Sequence, residues 1–248
     1  MIRSLDEIAK MRRAGRVVAE IHERTREAIR PGITTADLDK IAREVLERRG
    51  ARSNFLNYHG FPAVICTSPN EMIVHGIPGD TVLEEGDIIS VDAGAIIEGY
   101  HGDAAYTVGV GKISAAAQRL IDVTKASLDR AIDVMVEGNY LHDIGRVVQD
   151  YCEAQGYSVV REYVGHGIGT AMHESPSVPN YWPGNRGPKM KVGNVFAVEP
   201  MVNAGGWETV ELDDGWSVVT KDGSLSAHFE HTIVIGKEGP EVLTVSDV

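Results

Sequence analysis

The sequence has few cysteines, no long apolar run and no excess of positive charge, and each shortage closes off a class. Its two cysteines, Cys66 and Cys152, cannot make a disulfide framework, and a reducing cytoplasm fits. No apolar stretch approaches the ~18 residues of a membrane span, so no membrane partner is expected. The opening MIRSLDEIAK has no apolar h-region, and no secretory signal is expected. The net charge of −12 argues against specific nucleic-acid recognition. That charge is uneven: residues 1–50 hold 12 Lys and Arg against 9 Asp and Glu, while the rest hold 12 against 27. Two readings of the basic start stay open. It is a solvated helix face, or a weak docking surface for a polyanion such as the ribosome.

What is present suffices for a full core. The 248 residues are 43% hydrophobic and 24% charged, within the range of one large domain or two small ones. Ser4-Leu-Asp-Glu7 reads as a capping box that opens a helix, with Ile8, Met11, Val18 and Ile21 on or near one face. Pro31-Gly32 ends it. Thr34-Thr-Ala-Asp37 opens a second helix that runs to Gly50. Residues 114–136 and 141–155 predict a second pair, stopped by Gly156. Short β-rich runs are expected at 62–66, 87–92, 103–110, 158–163, 194–199, 208–212, 216–220 and 227–236. This alternation predicts a sheet with helices packed on one side. The proline-rich stretch 175–190, SPSVPNYWPGNRGPKM, reads as a long loop.

The chain also repeats itself. Leu83-Glu-Glu-Gly-Asp-Ile-Ile-Ser-Val-Asp92 matches Met190-Lys-Val-Gly-Asn-Val-Phe-Ala-Val-Glu199 in pattern, each run ending on a carboxylate. Gly32, Asp37 and Gly50 fall against Gly138, Asp143 and Gly156, and His59-Gly60 against His166-Gly167. The series predicts two similar halves, about 1–112 and 113–248, packed around a pseudo-two-fold axis. Neither half closes a core alone, so a single domain over 1–248 is expected.

The repeat gives the acids a purpose. Asp92 and Glu199 would occupy equivalent places near the axis. A turn near Ile97-Glu98-Gly99 would set Asp103 opposite Asp92 on paired strands, ~5 Å away. Glu230 precedes the apolar run Thr232-Ile-Val-Ile235. Two unit charges 4 Å apart repel by ~4 kcal/mol at an effective dielectric near 20, so clustered carboxylates must take up protons or bind cations. Two divalent ions would compensate four carboxylates, and His166, in Gly165-His-Gly-Ile-Gly169, is the candidate imidazole. Oxygen-rich ligation with one imidazole suits Mn²⁺, Fe²⁺ or Co²⁺, with Zn²⁺ also compatible.

At these residues the sequence resembles the type I methionine aminopeptidases of bacterial form. The matching stretches are YHGFPAVICTSPNEMIVHGIP (58–78), DAGAIIEGYHGDAAYT (92–107), GHGIGTAMHE (165–174), VFAVEPM (195–201) and DGSLSAHFEHTIV (222–234). The resemblance implies an α+β pita-bread fold: a pseudo-two-fold, antiparallel-rich curved sheet with two helix pairs outside. By position it implies the metal ligands Asp92, Asp103, His166, Glu199 and Glu230. Asp92 and Glu230 would serve one ion, His166 and Glu199 the other, with Asp103 and the second oxygen of Glu230 bridging. The implied reaction is removal of the initiator methionine from nascent chains whose second residue is small, by metal-bound hydroxide attacking the Met–Xaa carbonyl. Glu199 would be the proton acceptor, His173 would hold the carbonyl oxygen, and His75 would bond the peptide nitrogen side.

The methionine pocket implied by the match is Tyr58, Phe61, Cys66, Met172 and Trp216, with Phe55 at its edge; rings and sulfur suit a thioether. Phe55, Phe61 and Met172 stand where a small residue or Cys, a Tyr and a Phe are common in the better-known bacterial members. A cytoplasmic monomer is expected. Two rivals remain. Prolidases and aminopeptidase P share the fold but carry an additional N-terminal domain, for which the residues before the first helix leave no room. A non-catalytic peptide-binding module of this fold would have lost metal ligands, and all five are here.

Overall fold

The computed structural model describes residues 1–246. The first half runs α1 (Leu5–Ala28), α2 (Thr35–Arg49), β1 (Arg52–Ser53), β2 (Ile65–Pro69), β3 (Met72–Val74), β4 (Ile88–Ile97) and β5 (Tyr100–Gly109). The second runs α3 (Ala115–Asp133), α4 (His142–Ala154), β6 (Ser158–Val159), β7 (Gly165–Gly167), β8 (Glu174–Val178), β9 (Val195–Val198) and β10 (Met201–Asn203). It ends with β11 (Thr209–Glu211), β12 (Val218–Thr220), β13 (Ser226–His228), β14 (His231–Ile235) and β15 (Pro240–Val242). Among the described residues no helix is long and apolar enough to cross a membrane.

The caps fall where the sequence puts them. The Glu7 amide donates to Ser4 Oγ at 3.3 Å and the Ser4 amide to Glu7 Oε2 at 2.7 Å, closing the capping box of α1. Thr34 and Asp37 do the same for α2, and Gly50 ends it in the left-handed region at φ 61°. Ser114 Oγ caps α3 through the Ala117 amide. Each helix pair then buries an apolar stripe on its own sheet. Val17, Ile21, Leu38 and Val45 pack with Ile89, Val91 and Tyr106. Leu120, Leu128, Ile144 and Val148 pack with Phe196, Val198 and Ile233.

The repeat is structural. The Gly32 amide donates to the Leu83 carbonyl at 2.8 Å, and the Gly138 amide to Met190 at 3.0 Å. Leu83 and Met190 donate back, to Ile33 and Asn139. Thr34 bridges Val82 as Tyr140 bridges Lys189. The carboxylates of Asp37 and Asp143 accept the amides of Thr34 and Tyr140, at 3.0 and 3.2 Å. The same spacing thus builds the same entry into the second helix of each pair.

One sheet orders β1-β4-β2, with β5 paired to β4 along all of Ile88–Ile97; another orders β15-β14-β9-β7-β8. Three sequence expectations are corrected. The β4–β5 turn is tighter than expected: Ile97 pairs with Tyr100 across Glu98 and Gly99, both with positive φ. Asp92 therefore faces Ala105, and Asp103 faces Gly94, two positions away. The run 227–236 is two strands, broken at Phe229-Glu230. The stretch 175–190 is not all loop, because its start belongs to β8. Short strands such as β3, β7 and β10 escaped the sequence reading because three residues carry no readable alternation.

Candidate metal centre and substrate cavity

Strand pairings carry the acids together. Asp92 pairs with Ala105, and Ala105 is bridged to Glu230 from the other half of the chain. The Glu230 amide donates to the Ala105 carbonyl at 2.9 Å. Directly paired residues share a face, so Asp92 and Glu230 project together on either side of a small alanine. Asp103 lies two residues before Ala105 and shares that face. Its backbone is pinned by Thr232, whose Oγ1 accepts the Asp103 amide at 2.9 Å and donates to its carbonyl at 2.8 Å. In the second half His231 pairs with Val198, and one further step sets Glu230 beside Glu199. His166 pairs with Ala197, two residues before Glu199, which puts the imidazole on the same side.

Every site residue singled out in the sequence lines one cavity of about 110 Å³. A water needs about 10–15 Å³ by the same measure, so the space is ligand-sized. Its polar wall is Asp92, Asp103, His166, Glu199 and Glu230, with His75 and His173 beside it. Its apolar wall is Phe55, Tyr58, Phe61, Cys66, Met172 and Trp216. Phe61 meets Trp216 edge-on at 5.1 Å and Phe55 at 6.4 Å between ring centroids, an arrangement aromatic pairs favour. Cys66 pairs directly with Asp92, which explains why it faces the cavity. Burial and the nearby carboxylates hold its thiol well above its usual value, so it is a neutral wall residue.

The site is rich in acceptors and poor in donors. Burial pushes the Asp92 carboxyl up to about 7. Burial first, then neighbouring carboxylates, push Asp103, Glu199 and Glu230 well above the usual range. Asp92 Oδ1, Asp103 Oδ1 and Glu230 Oε1 are buried without a hydrogen-bond partner. His166 Nδ1 donates to the Gly167 carbonyl at 2.9 Å, which leaves the lone pair of the neutral ring on Nε2. That Nε2 lies 3.6 Å from Glu199 Oε1. Burial lowers the His166 pKa to about 4, so the imidazole itself is neutral at neutral pH. Asp103, His166 and Glu230 each offer a ligand atom, all within 4.8 Å of one another. Acceptors this close need a cation among them, and the residues fit a divalent metal centre.

The two remaining imidazoles sit over this cluster. His173 Nδ1 is 2.8 Å from the Tyr58 hydroxyl, and its ring lies 4.2 Å from that of His166. His75 adopts a left-handed backbone at φ 62°, a conformation that costs a non-glycine residue about 1–2 kcal/mol and that clusters at functional sites. Burial, then His173, lowers its pKa to about 4.

Two nearby residues were not found from the sequence. His228 is buried with neither ring nitrogen partnered, and its Nε2 lies 3.9 Å from Glu199 Oε2. Its place two residues before Glu230 on one extended run was the available signal. Asn180, from the proline-rich stretch, donates to the Glu199 carbonyl at 3.0 Å and gives that segment a task that composition does not reveal.

The profile of metallopeptidase family M24 matches residues 9–237. The chain is 50% identical over 248 residues to a methionine aminopeptidase of Clostridium acetobutylicum, covering 100% of this chain and 99% of that one. It is 50% identical over 238 residues to methionine aminopeptidase 1 of Bacillus subtilis, 96% of each chain. A solved methionine aminopeptidase from Thermotoga maritima superposes with a TM-score of 0.97 at 41% identity, over 99% of this chain and 100% of that one. An X-Pro aminopeptidase from the same organism shares the fold alone, at 22% identity and a TM-score of 0.78, and this chain covers 63% of it. With a paired-half fold, a buried acceptor cluster and full-length likeness in agreement, the chain belongs to the type I methionine aminopeptidases of metallopeptidase family M24.

Proposed function

We propose that the chain hydrolyses the peptide bond after an N-terminal methionine when the second residue is small, acting on nascent chains and short peptides in the cytoplasm. Two divalent ions, Mn²⁺, Fe²⁺ or Co²⁺ with Zn²⁺ also compatible, would be held by five side chains. Asp92 and Glu230 would hold one and His166 and Glu199 the other, with Asp103 contributing to both. Such ions supply Lewis acidity and lower the pKa of water so that it attacks at neutral pH. The ligands come from both halves, so the chain works as one catalytic domain, and nothing in this site requires a second copy.

The protein's own residues supply the rest. Glu199 lines the cavity beside His166, where a carboxylate can take a proton from the attacking water and pass it to the leaving amine. With the Tyr58 hydroxyl donating to His173 Nδ1, 2.8 Å away, the neutral imidazole would keep its proton on Nε2. From there it donates to the carbonyl oxygen as negative charge develops. His75 holds the nitrogen side of the scissile bond. Phe61, Met172, Cys66 and Trp216 take the thioether and keep water from it. The basic start offers less free charge to a ribosome than its composition suggests, because Arg12, Arg13, Arg43, Arg48 and Arg49 all pair with acids.

The single observation behind this reading is a cluster of buried acceptors without donors, opening into an apolar cavity. The test is release of methionine from Met-Ala-Ser and Met-Lys-Ser after chelation, then after addition of Mn²⁺, Co²⁺ or Fe²⁺. Cleavage of the first alone, and only with metal, is expected. No cleavage with any of the three ions would leave a peptide-binding module as the better account.

A further inference from the structure

Arg3 lies far from the cavity residues in sequence and is not part of the cavity lining, yet it is tied to the segment that carries two of the lining residues. Its side chain is 3% exposed, and its guanidinium is paired with Glu174, which is 14% exposed. The other carboxylate oxygen of Glu174 accepts the Thr170 amide at 2.9 Å and the Ala171 amide at 3.2 Å. It also accepts the Thr170 hydroxyl at 3.3 Å. Glu174 thus folds the segment 170–174 back on itself, and that segment presents Met172 and His173 to the cavity. The guanidinium fills the space beside Gly169, where an added Cβ would lie 1.9 Å from Nη2.

The Arg3 end is itself anchored. Its amide donates to the Gly193 carbonyl at 2.8 Å, Ile2 bridges Asn194, and Asn194 Nδ2 donates to the Met1 carbonyl at 3.1 Å. The strut therefore runs from a backbone fixed near β9, through a part-buried ion pair, to the segment holding His173. A planar fork suits this place, because it can lie flat on a glycine and bond a carboxylate edge-on.

We infer that Arg3 is a positioning residue for the reaction: acting through Glu174, it sets the 170–174 segment so that His173 faces the substrate. The inference rests on the role assigned to His173 above. A purely structural ion pair would lower stability without a specific effect on turnover. A positioning residue should instead lower kcat with little change in KM, since misplacing a catalytic group by ~1 Å costs about 100-fold.

The test compares Arg3→Met, Arg3→Lys, His173→Ala and the double variant Arg3→Met/His173→Ala on Met-Ala-Ser, alongside hydrogen exchange of the metal-free proteins. R3M should lower kcat by about 10- to 100-fold, and R3K should recover most of it. R3M should also expose the Thr170 and Ala171 amides to faster exchange. In the H173A background R3M should cost nothing further, because the two act as a unit. The inference is overturned by normal kcat in R3M, by an equal loss with and without His173, or by unchanged exchange at 170–171. If H173A itself turns over normally, the role given to His173 falls as well. If H173A is slow while R3M is normal, only the strut is refuted.

Discussion

Replacing Asp92 with Asn should stabilise the metal-free protein and lose that advantage when metal is present. In the metal-free protein, burial raises this carboxyl from 3.8 to about 7. Between those values the folded chain binds a proton that the unfolded chain has already lost. The contribution of Asp92 to stability therefore falls as pH rises from about 4 to about 7, then levels off. A displacement of this size corresponds to about 4 kcal/mol at full ionisation. Asn keeps the shape and carries no charge, so D92N escapes the penalty. Metal-free D92N should match the parent at pH 4 and exceed it by up to about 4 kcal/mol at pH 8. For a chain of this length that is about 8–16 °C in Tm. Excess Mn²⁺ should erase this lead, because the parent gains about 4 kcal/mol at a thousandfold excess over Kd while D92N has lost a ligand. Urea unfolding across pH 4–8, in chelator and in Mn²⁺, reads both effects. Metal-free D92N no more stable than the parent at pH 8, or equal Mn²⁺ stabilisation of both, would refute the reasoning.

Three further outcomes follow from the geometry. Tyr58→Phe should lower kcat on Met-Ala-Ser by about 3- to 10-fold, the worth of one hydrogen bond, since His173 loses the contact that sets its tautomer; an unchanged kcat would remove Tyr58 from that role. Met172→Ala should raise KM for the same peptide about tenfold by removing apolar contact area, and steady-state kinetics would expose a wrong assignment of the wall by showing KM unmoved. Gly15→Ala places a Cβ 2.1 Å from the Leu243 carbonyl oxygen and should destabilise by about 1–3 kcal/mol, read as a lower urea midpoint with unaltered metal affinity.

Much of this was legible in order along the chain. Capping boxes at Ser4 and Thr34 act within one turn, so their chemistry lies in adjacent letters. The repeat was visible because both halves build the same Gly-to-Leu83 and Gly-to-Met190 exchange from similar residues. The ligand set could be singled out because acids on apolar strands are costly wherever they stand. The turn between β4 and β5 was misjudged because its two-residue form depends on Glu98 and Gly99 both adopting positive φ, which the letters permit but do not compel. His228 and Asn180 were passed over because nothing local marks a histidine or an asparagine as the neighbour of a glutamate elsewhere in the chain.

The linear order of residues by itself located the four helices to within a few residues, the duplicated plan, and which carboxylates would need protons or a cation to stay buried. Only the tertiary structure decided that Glu230 stands beside Ala105 rather than in a continuous strand. It alone decided that the proline-rich stretch steadies Glu199 and that Arg3 reaches the segment before β8. The physical reason is range: caps, turns and alternation are set by neighbours a few residues apart, whereas register between strands and the pairing of buried charges are fixed by whichever distant segment arrives to satisfy them.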